Sequence, residues 1–529
     1  MKHAAQGHLL KNIAASTGIV AAVFTALKGL GFVEKLLLAS YFGTGPEVDA
    51  YIAGFTLMIV FWDILRGLLA PSYLPTLIEY RAEVGDDNSW EFTVSALNLL
   101  SLIFAAIIGV ALLLTPQLVR LTAPGFAGEQ LTIAIGMTRL MLTGAGFFAV
   151  ALITGFTLDS YKRFFLAVTD DIVFKVAGLA GLLLLGRYIG IYGLGWGIAL
   201  GSWIAPFIHL VAMRRYLKFY RPAINFSLPP LRKMFALMAP MLAGTLCIEG
   251  RRLVDNFFAS LIGVGSVASL AYGYKLIEFA YAAIAKPLSV VVLPYFSDLA
   301  LQQDHDNLRD TLMTTLRTVI LLFTPLSACL FALRAPVVRL LFQHGEFDAE
   351  SARMTLLAVS FYAFGLVAFG VDTILLRAYF SLRDTRTPAA LEIVALALHV
   401  GLILLLMPSL EQGGIALAFT VSKTVKVALL FALLRKKDVA LQLPQSLRFL
   451  GKIGLAAVVM SVALSGYARL FAAAFDVSAF LPQALLIGSG GVFGISLFFG
   501  LLLLLNVQEA RQTAGAIAAF AARSGAHRP

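Results

Sequence analysis

Long apolar runs separated by short polar breaks recur along nearly the whole chain. They predict helical spans near residues 13–42, 49–78, 91–115, 131–158, 163–186, 189–213, 234–262, 266–297, 310–333, 354–379, 388–408, 413–434, 448–474 and 482–506. Each reaches the roughly 20 apolar residues a helix needs to cross the hydrocarbon of a bilayer. A transmembrane barrel would instead show alternating segments of about ten residues. The pattern therefore predicts an all-α polytopic membrane protein of about fourteen transmembrane helices, with no room for a large soluble domain. Several runs exceed the minimum length, which tilt or kinking absorbs. Pro240, Pro287 and Pro325 lie inside spans and mark expected kinks.

Composition agrees with the pattern. Of 529 residues, 59% are hydrophobic and 13% charged, against about 25% charged in a soluble globular chain. The net charge of +11 raises nucleic acid as a partner, but the placement of the basic residues decides otherwise. One set of short loops holds Lys162 and Arg163; Arg214, Arg215, Lys218, Arg221, Arg232 and Lys233; Arg383 and Arg386; and Arg435, Lys436 and Lys437. The opposite set holds little beyond Arg120, Arg187, Arg334 and Arg339. By the positive-inside rule both termini are expected in the cytoplasm, in a multi-pass protein of the bacterial inner membrane. The basic excess then faces anionic headgroups, and no nucleic-acid partner is expected. The amino-terminal Lys2, His3 and Lys11 precede an apolar stretch with no small-residue cleavage site, so it reads as a retained first span. Cys247 and Cys329 sit in apolar segments without metal-ligand spacing and read as core filler.

An internal repeat organises the spans. LASYFGTG at 38–45 resembles FASLIGVG at 258–265, matching Ala39, Ser40, Gly43 and Gly45 to Ala259, Ser260, Gly263 and Gly265. Leu74-Pro75 recurs as Leu293-Pro294, each with an acidic residue four positions past the proline, Glu79 and Asp298. Six predicted spans separate the copies, and an even number preserves orientation, so the halves are expected to be parallel repeats. This predicts an N-lobe over 1–221, a C-lobe over 222–438, and a C-terminal helix pair with a cytoplasmic tail over 439–529. Two six-helix lobes plus two further helices is a transporter plan.

Ionisable groups at bilayer depth are costly and mark functional candidates. The first span carries Lys28, Glu34 and Lys35, and the second Asp49, Asp63 and Arg66. The seventh carries Glu249, Arg251, Arg252 and Asp255, and the eighth Lys275 and Glu278, with Lys286 further on. These repeat-equivalent helices are expected to turn their charged faces toward a central cleft. Local pairing competes with that reading: Arg251 with Asp255 at i,i+4, and Asp63 with Arg66 at i,i+3. Lys28 has no opposite charge one turn away, whereas Lys275 has Glu278. Lysines in a cleft suit an anionic substrate, a phosphate or pyrophosphate that the ammonium meets as a point charge. Asp159, Asp170, Asp171 and Lys175 read as cytoplasmic-rim groups, and His399 as a packed histidine. With no Walker loop, zinc spacing or serine elbow, no catalytic residue is expected, and the chain reads as a transporter rather than an enzyme. No cofactor is expected. Energy input would come from a coupling ion, sodium or proton, or from membrane potential.

Several segments together carry a family resemblance: LGFVEKLLLASYFGTGPEVDAY (30–51), LTAPGF (121–126), NFFASLIGVGSVASLAYGYKLIEF (256–279), LFQHGEFDAESA (341–352) and RAYFSLRDTRTP (377–388). The chain resembles the MurJ (MviN) lipid II flippases of the multidrug/oligosaccharidyl-lipid/polysaccharide exporter superfamily. The resemblance implies fourteen spans, two lobes around a cationic cavity, and a C-terminal pair forming a groove for the lipid tail. It implies transfer of an undecaprenyl-pyrophosphate-linked peptidoglycan precursor from the inner to the outer leaflet, in the service of cell-wall synthesis. By position, the family's first-span arginine falls on Lys28, its second-span aspartate on Asp49, and its eighth-span arginine and glutamate on Lys275 and Glu278. Departures are also present. Glu34 then Lys35 stand where the family has arginine then aspartate. The second-span arginine position falls near Phe61 and Trp62, with Arg66 a turn away. The sodium ligands of some members have Asp255 and Asp384 as their nearest matches.

The substrate-binding set expected is thus Lys28, Lys275, Asp49, Glu278, Lys35, Glu34, Arg66 and Arg252, in a monomer whose partners are the glycolipid and membrane lipids. Rival readings are a flippase for another undecaprenyl-linked glycan, such as exopolysaccharide or O-antigen, a drug/ion antiporter, and a non-transporting scaffold.

Overall fold

Polar breaks and glycine-rich turns set where helices stop, and the computed structural model follows them closely. It describes residues 26–434, 443–477 and 479–511. Every regular element among these is helical. The first helix, α1, covers 26–42; the rest of the span expected at 13–42 lies outside the described residues. There follow α2 (Pro46–Val84), α3 (Asp86–Leu113), the short α4 (Thr115–Thr122), α5 (Gly128–Ala145), α6 (Phe148–Ser160), the single turn α7 (Phe164–Ala167), α8 (Thr169–Ile189) and α9 (Tyr192–Ala212). After a 3-10 turn at Arg214–Phe219 come α10 (Pro229–Ile262), α11 (Ser266–Leu301), α12 (His305–Ala332), the short α13 (Arg334–Phe342), α14 (Ala349–Ser381), α15 (Arg386–Leu434), α16 (Leu443–Ala474) and α17 (Phe480–Leu504).

Twelve stretches among the described residues are long and apolar enough to cross a membrane, with α5 and α6 forming one of them. The longest, α15, is two spans: Glu411 breaks it with φ 49° and ψ −134°. That left-handed backbone is strained for a residue with a Cβ. The break falls between the predicted spans 388–408 and 413–434. Adding α1, the described helices match the expected fourteen one for one. Outward faces are strongly apolar, as at Leu113, Leu184, Val462, Leu470 and Val492, all exposed. No aqueous surface would tolerate so many, so the bilayer is the solvent for these faces.

Two compact units divide the chain, residues 1–271 and 272–529. In the first, α2 packs on α5, α6 and α10, and α8 lies along α9. The α8–α9 approach depends on missing side chains: a Cβ on Gly181 would sit 2.3 Å from the Gly193 carbonyl oxygen, and one on Gly197 2.2 Å from that of Ala177. Such small-residue seams replace the hydrophobic effect as the basis for helix pairing in lipid. In the second unit, α14 packs on α15 and α12, and the α16–α17 pair seats against α12. Phe449, Met460, Leu464 and Phe498 fill that seam together with Leu321 and Leu333. Arg317 of α12 pairs with Glu509 at 2.7 Å, and Lys452 Nζ donates to the Leu505 carbonyl at 2.7 Å. Asp304 and Asp348 cap α12 and α14 by accepting from the Asn307 and Ser351 amides.

The repeat read from sequence is present in local structure. Gly43, with φ 60°, ends α1, and Gly263, with φ 146°, ends α10. In each case a very long helix follows, carrying Pro75 within α2 and Pro294 within α11. The correspondence runs further than the matched residues: short α4 follows α3 as short α13 follows α12.

Candidate functional site

Most deep charges of the first unit converge on the second half of α2, where α10 and α8 flank it. Asp63 on α2 accepts from Arg252 Nη1 of α10 at 2.6 Å, and Arg252 also reaches Glu249 at 3.0 Å. One turn along α2, Arg66 Nη1 donates to Asp171 Oδ2 of α8 at 3.1 Å and lies 5.9 Å from the Trp62 ring. Asp63 and Arg66 were candidates for a local pair; each instead reaches across to another helix. At i,i+3 two short-range partners can meet, but the crossing helices offer geometry in which the guanidinium satisfies more than one acceptor. The other local pair does form: Arg251 and Asp255 are joined along α10.

The α8 carboxylates, expected as rim groups, lie on the first turn of that helix. Asp170 is buried, and its Oδ1 accepts the Asp171 amide at 2.8 Å. With Lys175 they line a cavity of about 80 Å³ whose other walls include Phe55, Trp62 and Phe174. Because α8 begins at Thr169, both aspartates ride on its first turn, and Asp171 faces α2 through Arg66.

Glu34 and Lys35 of α1 form a second cluster. Glu34 is buried, accepting from Tyr51 Oη at 3.0 Å and from Lys35 Nζ at 3.3 Å. The Lys35 ammonium stands 4.9 Å from the Tyr51 ring centroid and 5.7 Å from that of Phe55. Lys28 is half-buried on the same helix.

Asp49 has a different position from the other charges. It is fully buried at the start of α2, and its carboxylate crosses to the first turn of α11. Oδ2 accepts the Gly265 amide at 2.6 Å and Gln130 Nε2 at 3.3 Å, while Oδ1 accepts the Ala268 amide at 2.7 Å. The orphan amides of a helix N-terminus and its positive dipole end are the natural partners of a carboxylate. Asp49 therefore works as an interhelical cap joining the two glycine turns of the repeat. Replacing Asp49 with alanine leaves those amides unsatisfied in a buried place, at a cost of about 2–3 kcal/mol. Thermal unfolding of the detergent-solubilised protein checks this, and an Asp49→Ala midpoint equal to the parent's would remove the cap assignment.

In the second unit, Lys275 Nζ donates to Glu278 Oε2 at 2.8 Å along α11, both side chains about one-fifth exposed. Asp384 uses both oxygens on the first turn of α15, accepting the Thr387 amide at 3.0 Å and its hydroxyl at 2.8 Å. Asp255 and Asp384, the nearest matches to the family's sodium ligands, are engaged by the Arg251 guanidinium in the first unit and by the first turn of α15 in the second. His399 is buried with its ring edge-on to Phe419 at 5.9 Å.

A cluster absent from the expected set lies between α14 and α15. Asp372 meets Lys423 Nζ at 2.8 Å and Lys426 Nζ at 3.0 Å, and Lys426 also contacts Glu392. Asp372 and Lys426 are buried. Two ammoniums and two carboxylates balance within one interior site. The signal was available: lysines three apart in the apolar run 413–434 and an aspartate inside 354–379 are intramembrane charges.

Comparison with known proteins places this arrangement. A family model described as lipid II flippase MurJ matches residues 38–486. The lipid II flippase MurJ of Burkholderia cenocepacia is 25% identical over 505 residues, spanning 92% of this chain and 96% of its own. A probable lipid II flippase MurJ of Rhizobium meliloti is 28% identical over 420 residues, spanning 76% and 77% respectively. Among solved structures, lipid II flippase MurJ in an inward closed conformation matches with a TM-score of 0.74 at 21% identity, covering 92% of this chain and 99% of that one. An inward-facing multidrug resistance MATE family transporter of the MOP superfamily matches with a TM-score of 0.66 at 16% identity, over 78% and 94%. At these identities the two structures establish a shared fold.

Proposed function

This chain belongs to the lipid II flippase MurJ family, and on that premise we propose that it transfers lipid II from the inner to the outer leaflet of the bacterial inner membrane. The observation that carries the reading is the family match over nearly all the spans, residues 38–486. The deep lysines add chemical sense to it. Lys28 and Lys275 are half-buried cations on membrane-spanning helices, suited to a pyrophosphate that must leave water during transfer. Within the first unit Arg252 adds a further cation, held by Asp63 and Glu249, and Lys35 another; within the second Glu278 holds Lys275. The prenyl tail stays in lipid throughout, and alternating access of the headgroup site completes the cycle. Nothing in this transfer makes or breaks a covalent bond, so the protein is a transporter and its driving force is a sodium or proton gradient or the membrane potential. Both termini are assigned to the cytoplasm by the distribution of basic loop residues.

Expression in a bacterium depleted of its own lipid II flippase tests the proposal. Restored growth, with labelled lipid II reappearing in the outer leaflet, is the expected result. A protein that reaches the membrane in normal amount yet restores neither would overturn lipid II as cargo and leave another undecaprenyl-linked glycan.

A further inference from the structure

We infer that a second phosphate-binding site lies in the second unit, where α12 ends, α14 begins, α16 ends and α17 begins. These four helix ends surround a pocket of about 550 Å³, within the usual range for small-ligand sites. Four guanidiniums line it: Arg334, Arg339, Arg353 and Arg469. No carboxylate is among its lining residues. Arg353 is held from outside the wall by two carboxylates, Glu350, with Nε to Oε2 at 2.8 Å and Nη2 to Oε1 at 2.6 Å, and Glu411, with Nη2 to Oε2 at 3.7 Å. Arg334 donates to the Phe331 carbonyl and lies 4.5 Å from the Phe331 ring, contacts that leave its charge uncompensated. Among the described residues, no carboxylate lies within ion-pair distance of Arg339 or Arg469. Arg334, Arg339 and Arg469 gather like charge round one concavity, and an anion with several oxygens relieves all three at once. Guanidinium forks match phosphate geometry better than any other cationic side chain.

The rest of the wall says where the phosphate comes from. Apart from the arginines the wall is largely alanine and leucine, Leu356 and Ala468 among them. The adjoining faces of α16 and α17 expose Leu470, Phe480, Leu481 and Leu485. Because four spans terminate here, the pocket sits at the membrane–water boundary, where headgroups lie and acyl chains run along the exposed helices. The ligand class is therefore the phosphate of an anionic lipid, held by its headgroup with its chains on α16 and α17. This inference does not depend on which cargo the protein moves.

The test is native mass spectrometry of the full chain in detergent, titrated separately with phosphatidylglycerol, phosphatidylcholine and inorganic pyrophosphate. The parent should retain phosphatidylglycerol at least about tenfold more tightly than the double variant Arg339→Ala, Arg469→Ala, with no such gap for phosphatidylcholine. Both side chains are exposed, and an unchanged unfolding midpoint verifies that the variant folds. Should the double variant aggregate, Arg469→Gln alone is expected to weaken phosphatidylglycerol several-fold. Equal retention by parent and variant overturns the site. Binding of pyrophosphate with no preference for phosphatidylglycerol over phosphatidylcholine overturns the lipid source and leaves a site for soluble phosphate.

Discussion

Asp372→Ala should prevent the protein from accumulating as a monodisperse species. The carboxylate is buried, and it neutralises two lysines, Lys423 at 2.8 Å and Lys426 at 3.0 Å. Removing it leaves three charges where there were four, with a net positive charge enclosed between α14 and α15. Breaking a buried ion pair from one side costs about 3–5 kcal/mol, because the remaining partner can neither find water nor a replacement. That is a large share of the whole stability of a typical folded domain. Asp372→Asn keeps the shape and part of the hydrogen bonding but leaves the same excess charge, so it should fail nearly as badly. The double replacement Asp372→Leu, Lys423→Leu removes one charge of each sign and leaves Lys426 with Glu392. It should recover most of the folded protein, since an apolar pair of similar volume can substitute for a buried ion pair. Fluorescence-detected size exclusion and the thermal midpoint read both outcomes. A single variant as stable as the parent would mean that water, rather than protein, surrounds this cluster.

That cluster also shows how far the sequence could be read. Spans are legible because twenty apolar residues in a row have few other uses, and the fourteen predicted runs have matching helices among the described residues, α1 in part. The glycine and proline repeat is legible because φ above zero and a missing amide constrain the backbone wherever they occur. Partners are another matter. Arg252 reaches Asp63 across 189 positions and Arg66 reaches Asp171 across 105, and no local rule ranks those above the i,i+3 alternative. Asp49 illustrates the same gap from the other side. Its acidity suggested substrate chemistry, whereas its carboxylate is spent on backbone amides 216 and 219 positions away. Backbone donors carry no sequence signature, so a cap between distant helices cannot be seen from residue identities.

Lys275→Ala should abolish rescue of a flippase-depleted strain while leaving the amount of protein in the membrane unchanged. The lysine and Glu278 are each about one-fifth exposed, so truncating the lysine opens space at the helix surface rather than a deep cavity. What disappears is one charge-assisted contact to the cargo phosphate, worth about 1.5–3 kcal/mol, or roughly ten- to a hundredfold in binding. Lys28→Ala should behave alike, since it too is a half-buried cation on a spanning helix. A bland account competes: Lys275 could serve only to neutralise Glu278, 2.8 Å away. The two separate cleanly in the double variant Lys275→Ala, Glu278→Ala. If neutralisation is the whole role, removing the glutamate as well restores growth. If the ammonium meets phosphate, the double variant stays inactive, and only Lys275→Arg recovers function, because it returns the charge together with a fork that phosphate accepts. Growth of the double variant at the parental rate would therefore remove Lys275 from the substrate site and leave the pair as a structural contact within α11.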